Sequence, residues 1–137
     1  MVSASASYRA PELIYRTNRV ISVSEGIEFN NKIDMWSLGC IIYELLTQRR
    51  AFLNDIAVME YKSAKDMTID ISSPGKPFDA RTRCILTQIT YAMLEKDVHM
   101  RPSSTDVLAA LHDGNEASSG RPSAITISTG PLTFLPL

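Results

Sequence analysis

The sequence predicts an all-α domain, and three features of its middle and later sections carry that prediction. The run from Met35 to Leu46 is almost continuously apolar and long enough for about three helical turns. Residues 81–94 place most of their apolar side chains near one helical face. Ser103 and Asp106 have the spacing of a helix capping box. Strand signals are weak, and no internal repeat is visible.

The apolar run is predicted to form the central helix of the domain. Its apolar side chains would occupy every face, and a helix of that kind has to be covered on all sides. Gly39 costs about 1 kcal/mol relative to alanine inside a helix, so it predicts close approach of another backbone. Asp34 at the start of this helix is favoured there by the helix dipole. Trp36 is expected in the core.

Shorter helices are predicted on both sides of the central one. One can begin at Pro11, because proline is tolerated in a first helical turn. Asn54 or Asp55 can cap another. The helix over 81–94 is expected to bury one set of residues, namely Ile85, Leu86, Ile89, Ala92 and Met93. It is expected to turn another set away from the core, namely Thr87, Gln88 and Thr90. The last helix is expected to end at Gly114.

Length and charge set limits on the kind of protein. A chain of 137 residues has room for one domain, placed at residues 1–113, and the Ser-, Gly- and Pro-rich residues 114–137 are predicted to be a disordered tail. Fourteen Lys and Arg against fifteen Asp and Glu give a net charge of -1, so no nucleic-acid partner is expected. No segment is long and apolar enough to predict a membrane span.

The two cysteines predict a reducing environment. Cys40 and Cys84 lie in separate apolar segments without paired spacing, which is typical of reduced core thiols. Residues 1–10 lack the apolar stretch of a secretory signal. We therefore expect an intracellular and cytoplasmic protein.

Three short motifs occur in a fixed order along the chain: "YRAPEL" at 8–13, "DMWSLG" at 34–39 and "LEKDVHMRP" at 94–102. Together they resemble the C-terminal lobe of a eukaryotic-type protein kinase, over about residues 3–112. Ala10-Pro11-Glu12 matches the A-P-E that closes the activation segment of that family. The resemblance implies a helical C-terminal lobe, with the N-lobe and the catalytic loop absent from this sequence.

The resemblance also implies a structural role for each anchor residue. Glu12 is expected to pair with Arg101, whose planar guanidinium can bind a carboxylate through two hydrogen bonds. Asp34 matches an aspartate that, in kinases, accepts hydrogen bonds from the catalytic loop. The simpler alternative for Asp34 is a carboxylate at a helix start. The other structural positions that the resemblance implies are Ala10, Pro11, Trp36 and Gly39, and plain core packing is the alternative for Trp36.

Three residues match substrate-binding positions of the family: Ser5, Tyr8 and Arg9. A serine or threonine three residues before the tyrosine contacts the catalytic aspartate and lysine in Ser/Thr kinases. Ser5 stands at that position, so the resemblance favours the Ser/Thr branch. The alternative for Ser5 is a disordered, Ser- and Ala-rich terminus.

The sequence contains no catalytic residue of the family signature. We find no G-x-G-x-x-G loop, no V-A-I-K lysine, no H-R-D and no D-F-G. His99 and His112 have no partners at metal-binding spacing. We therefore expect no catalytic residue, metal or cofactor site in this chain, although the full-length family uses ATP and Mg²⁺.

Two functional hypotheses follow, with chance similarity as a third reading. The first is a fragment of a Ser/Thr-like protein kinase domain that is inactive alone. The alternative is a pseudokinase-like scaffold module that binds a protein partner through exposed apolar helical surface. If the motifs match by chance, Glu12 and Arg101 should lie far apart.

Overall fold

The computed structural model describes residues 6–17, 32–72 and 78–116. A single 3-10 turn at Ala6–Tyr8 precedes the helices of these segments. The helices are α1 (Pro11–Thr17), α2 (Lys32–Thr47), α3 (Asp55–Ser63), α4 (Ala80–Met93) and α5 (Ser104–Glu116). The described segments contain no strand, which confirms the all-α prediction. Ser5 and residues 117–137 lie outside the described residues, so neither the predicted role of Ser5 nor the predicted tail beyond α5 is tested.

Helix α2 packs along α4, and Gly39 lies against the end of α4. A Cβ atom added at Gly39 would lie 2.9 Å from Cβ of Met93 and 3.0 Å from Cδ2 of Leu94. Real Cβ atoms do not approach other atoms so closely, so only glycine fits without a shift in α4. The predicted close approach at Gly39 is therefore present, and the end of α4 makes it.

An aromatic cluster fills the core between α2 and α3. The rings of Trp36 and Phe52 stack at a centroid distance of 5.4 Å, and Tyr61 lies 5.3 Å from Phe52. The Tyr61 hydroxyl donates a hydrogen bond to the carbonyl oxygen of Leu94 at 2.9 Å. Burial raises the pKa of Tyr61 to about 12. The cluster therefore joins α3 to the end of α4 through a satisfied polar tip.

One face of α2 is exposed, which corrects the prediction that this helix is covered on all sides. Leu38, Ile41 and Leu45 are 38, 47 and 53% exposed. Their spacing of three and four places them on one side of the helix. The opposite side carries Trp36 and Cys40, which are buried. The apolar pattern correctly indicates which side chains favour burial, but the described residues cover only one side.

Thr90 corrects the predicted face of α4. It was expected to point away from the core, yet it is completely buried. Its hydroxyl donates a 2.6 Å hydrogen bond to the carbonyl oxygen of Leu86, one turn earlier. A threonine that bonds its own helix in this way can lie in a core without an unpaired polar group. Tyr91, the next residue, is exposed instead.

The helix ends follow the predicted capping chemistry with small shifts. The Asn54 side chain accepts a hydrogen bond from the Ala57 amide at 3.0 Å and caps α3. Ser103 and Asp106 form the predicted capping box, with the Asp106 amide 3.2 Å from Oγ of Ser103. Helix α5 continues to Glu116, past the predicted end at Gly114. Glycine in a helix lowers its stability without always ending it.

We predict that Gly39→Ala destabilises the chain by about 1–3 kcal/mol, because overpacking against Met93 and Leu94 outweighs the gain in helix propensity. Urea unfolding followed by circular dichroism measures the change. Ile41→Ala, on the exposed face of the same helix, is the matched control and should change the free energy of unfolding by less than about 0.5 kcal/mol. An equal or higher stability of Gly39→Ala would contradict the close packing.

Candidate functional site

Arg101 and Glu12 form a two-bond ion pair, although 89 positions separate them in the chain. Nη1 of Arg101 lies 2.5 Å from Oε1 of Glu12, and Nη2 lies 3.3 Å from Oε2. The arginine side chain is 0% exposed and the glutamate side chain 16% exposed. The pair that the motifs predict is therefore present and largely removed from water.

The remaining donors of Arg101 bind backbone carbonyls from two other segments. Nη1 also donates to the carbonyl oxygen of Lys32 at 2.9 Å. Nε and Nη2 donate to the carbonyl oxygen of Glu95 at 3.2 and 3.1 Å. The guanidinium carbon lies 5.1 Å from the centre of the Trp36 ring. This one side chain holds together the start of α1, the start of α2 and the turn after α4.

Ala10 and Pro11 form the buried entry to α1. Ala10 is 0% exposed, and its carbonyl oxygen accepts from the amides of Leu13 and Ile14 at 3.0 and 3.4 Å. Pro11 is fully buried at the first helical position, where its missing N–H leaves no bond unmade. Ala10 and Pro11 therefore fix the position of the first turn of α1, from which the Glu12 side chain extends to Arg101.

Tyr8 is fixed to α2 by two hydrogen bonds. Its hydroxyl donates to Oε2 of Glu44 at 2.7 Å, and its carbonyl oxygen accepts from Oγ of Ser37 at 2.8 Å. The bond to the Glu44 carboxylate raises the pKa of Tyr8 above its usual value. Ser37 and Glu44 were not among the site residues predicted from the sequence. They are the two polar residues of an otherwise apolar run, seven positions apart and thus on one helical face, a signal that could have found them.

Arg9 and Ser7 attach the same segment to the start of α3. Nη1 of Arg9 lies 2.8 Å from Oδ2 of Asp55, and both side chains are partly exposed. Oγ of Ser7 donates to the carbonyl oxygen of Leu53 at 3.3 Å and accepts from Nη1 of Arg50 at 3.4 Å. The segment that carries Tyr8 and Arg9 is therefore anchored to α2 and to α3.

Asp34 and Trp36 differ in their exposure to solvent. Asp34 is exposed in the first turn of α2, and within the described segments no hydrogen bond or ion pair of its carboxylate is seen. Trp36 is completely buried, and its indole Nε1 has no hydrogen-bond partner among the described residues. The geometry is compatible with a dipole role for Asp34 and a core role for Trp36.

A cleft of about 470 Å³ lies between the first half of α4 and the second half of α5. Ile85, Leu86 and Leu111 contribute apolar side chains to it. None of the site residues predicted from the motifs lines this cleft. In the part of the chain that the structure describes, no group of three or more potential metal ligands occurs, and no helix is long and apolar enough to cross a membrane.

Comparison with known proteins identifies the family of this chain. A model of the protein kinase domain matches residues 1–112. The chain belongs to the protein kinase family. Its relatives include the serine/threonine-protein kinase Nek3 of Mus musculus, which is 35% identical over 85 residues, or 61% of this chain. Nek9 of Mus musculus is 30% identical over 106 residues, or 74% of the chain.

A third relative, the serine/threonine-protein kinase Nek8 of Danio rerio, is 33% identical over 86 residues, or 62% of the chain. The alignments cover only a small part of each relative, namely 15% of Nek3, 9% of Nek9 and 11% of Nek8. The chain therefore shares a segment of kinase domain with much longer proteins. The Glu12–Arg101 pair and the anchored segment 6–12 lie within the matched residues.

We predict that Arg101→Ala lowers the free energy of unfolding by about 3–5 kcal/mol, because it removes the partner of a largely buried carboxylate and the donors for two carbonyls. Arg101→Lys keeps the charge but loses the planar fork, so its loss should be intermediate. Urea unfolding at low temperature measures both. Arg49→Ala, at an exposed position, is the control. A loss below about 1 kcal/mol for Arg101→Ala would mean that the pair does not hold the fold together.

Proposed function

We propose that this chain is the substrate-docking and structural part of a serine/threonine protein kinase. The observation that carries the proposal is the anchoring of segment 6–12. Tyr8 binds Glu44 on α2, Arg9 binds Asp55 on α3, and Glu12 binds the buried Arg101. Three separate elements thus hold a segment of about seven residues in one conformation.

Such anchoring suits the chemistry of phosphoryl transfer. In kinases most of the catalytic effect comes from positioning the reactants and neutralising charge, so the surface that presents the hydroxyl has to be rigid. A loosely held segment would lose this benefit, because small misplacements of the nucleophile cost large factors in rate. The similarity to Ser/Thr kinases and the serine at position 5 support serine and threonine as the acceptors.

ATP and Mg²⁺ are the co-reactants that this proposal implies for the whole kinase. The sequence in hand contains no glycine-rich loop, strand lysine, H-R-D or D-F-G with which to bind them. We therefore propose that nucleotide binding and catalysis need residues beyond these 137, and that the chain alone transfers no phosphate.

The test compares the isolated chain with a longer form that carries the H-R-D and D-F-G motifs. Both are incubated with radiolabelled ATP, Mg²⁺ and a general protein substrate. We expect no incorporation by the chain alone, and phosphoserine and phosphothreonine with the longer form, by acid hydrolysis and phosphoamino-acid separation. Phosphate transfer by the chain alone, or transfer by the longer form only to tyrosine, would refute the proposal.

A second candidate function is a scaffold module without catalysis. The exposed side of α2 supports it, because Leu38, Ile41 and Leu45 present a continuous apolar strip. Exposed apolar surface of this kind marks either an interaction site or an aggregation liability. If the chain is a scaffold module, this apolar strip binds a protein partner that shields it from water.

For the scaffold candidate we expect the chain to bind a hydrophobic dye, and we expect Ile41→Ser combined with Leu45→Ser to lower the dye fluorescence at least by about half. Light scattering on both forms reports whether the strip also drives self-association. Leu108→Ser, at an exposed leucine of α5, is the matched control. If the double variant gives the same dye fluorescence as the unchanged chain, the dye binds somewhere other than the strip on α2.

A further inference from the structure

The cleft between α4 and α5 leaves apolar side chains uncovered at its floor. This floor consists of Ile85, Leu86 and Leu111, and the cleft has a volume of about 470 Å³. Leu111 is 40% exposed, while Ile85 and Leu86 are partly buried. Clefts that hold ligands have volumes of about 300–1,000 Å³. The cleft is therefore large enough to receive several side chains of another segment.

The floor of the cleft is continuous with the hydrophobic core. Ile85 packs against Ala92 and Ala110, which are both buried. Leu86 packs against the main core cluster, which contains Trp36. An apolar segment that entered the cleft would therefore extend the core, and it would be stabilised by about 25 cal/mol for each Å² of apolar surface removed from water.

Two polar side chains at the edge of the cleft are bonded to each other. Both carboxylate oxygens of Asp79 accept from Thr82, one from its amide at 2.9 Å and the other from its hydroxyl at 2.8 Å. A polar ligand would have to compete with these bonds, because a broken bond leaves its partner unsatisfied. An uncharged apolar segment can enter the cleft and leave them intact.

The sequence after α5 supplies such a segment. Residues 117–137 follow α5 directly and lie outside the described residues. No charged side chain occurs after Arg121, and the seven residues "PLTFLPL" at 131–137 include three leucines and Phe134. The two prolines of this stretch fix their own φ angles, so ordering it costs less conformational entropy than ordering a stretch without proline.

The cleft lies within reach of this segment. His112 lines the cleft, and α5 ends at Glu116, about 6 Å further along the helix. Residues 117–130 can span tens of Å at about 3.3 Å per residue, so they can return 131–137 to the cleft. Because both partners belong to one molecule, their effective concentration is on the order of 1 mM. Even a contact with a Kd of about 1 mM would therefore be formed in about half of the molecules.

We propose that residues 131–137 bind in the cleft between α4 and α5 of the same molecule. Phe134 and the leucines beside it cover the floor of the cleft and remove it from water. This stretch is favoured over Ile125 and Ile127, the other large apolar residues after α5, because it carries four large apolar side chains and they are only two. The contact rests on the cleft and on the sequence after α5, and it does not depend on the proposed kinase function.

The first test measures nuclear Overhauser effects in the isotope-labelled full chain. We expect cross peaks between the ring protons of Phe134 and the methyl groups of Ile85 and Leu111 in a dilute sample. The absence of these cross peaks would overturn the proposal. Cross peaks found only between differently labelled molecules, and growing with concentration, would identify a second copy as the occupant and would also overturn it.

The second test changes the floor of the cleft. Leu111→Ser leaves the core intact, because Leu111 is 40% exposed. It should speed the exchange of the Phe134 and Leu135 amide protons with water by about twofold or more, since release of a segment that is at least half bound removes its protection. Leu108→Ser, at a position 61% exposed on the same helix, is the matched control and should leave both exchange rates unchanged.

The third test changes the segment and leaves every described residue as it is. Phe134→Ser combined with Leu135→Ser should shift the methyl signals of Ile85 and Leu111 toward those of an open cleft. Ile125→Ser combined with Ile127→Ser is the matched control and should leave these signals in place. Equal shifts in both double variants, no shift in the first, or unchanged amide exchange in Leu111→Ser would each overturn the proposal.

Discussion

A buried guanidinium is the constraint on which the rest of this structure depends. Removing the charge of Arg101 from water costs several kcal/mol, and only a full set of hydrogen bonds offsets that cost. The acceptors come from Glu12, Lys32 and Glu95, which lie in three distant parts of the sequence. Because none of them can leave without exposing an unpaired buried group, α1, α2 and the turn after α4 have to meet at one point.

The geometry of segment 6–12 follows from that meeting point. Once Glu12 is bound to Arg101, the residues just before it can reach only the near sides of α2 and α3. There Glu44 and Asp55 accept from Tyr8 and Arg9. The ion pair of Arg9 is partly exposed and is individually weak. Together with the buried pair, however, it fixes both ends of the stretch from Arg9 to Glu12.

The sequence predicted the parts of this arrangement that local rules decide. The helix caps at Asn54 and Ser103 follow from chemistry that acts over a few residues. The cost of a glycine inside a helix is also local and indicated a close contact at position 39, but it did not identify Met93 and Leu94 as the contact. The Glu12–Arg101 pair was predictable only through the motif resemblance, because nothing in spacing relates residues so far apart. The partner of Arg9, Asp55, was missed for the same reason, whereas the two polar positions that bind Tyr8 stood out in the apolar run and were overlooked. The exposed face of α2 was missed because an apolar pattern shows which side chains favour burial, not whether the chain itself supplies the cover.

A few buried polar atoms have no partner among the described residues. Three buried side-chain atoms have no hydrogen-bond partner among the described residues: Nε1 of Trp36, Oδ1 of Asp55 and Oε1 of Gln88. A buried polar group without any partner costs about 1–3 kcal/mol. Two of the three belong to residues that help to hold segment 6–12, since Trp36 packs against Arg101 and Asp55 binds Arg9. Violations of the usual packing rules concentrate at functional sites, where geometry is selected over stability. Two of the three atoms therefore lie beside the ion pairs that anchor residues 6–12.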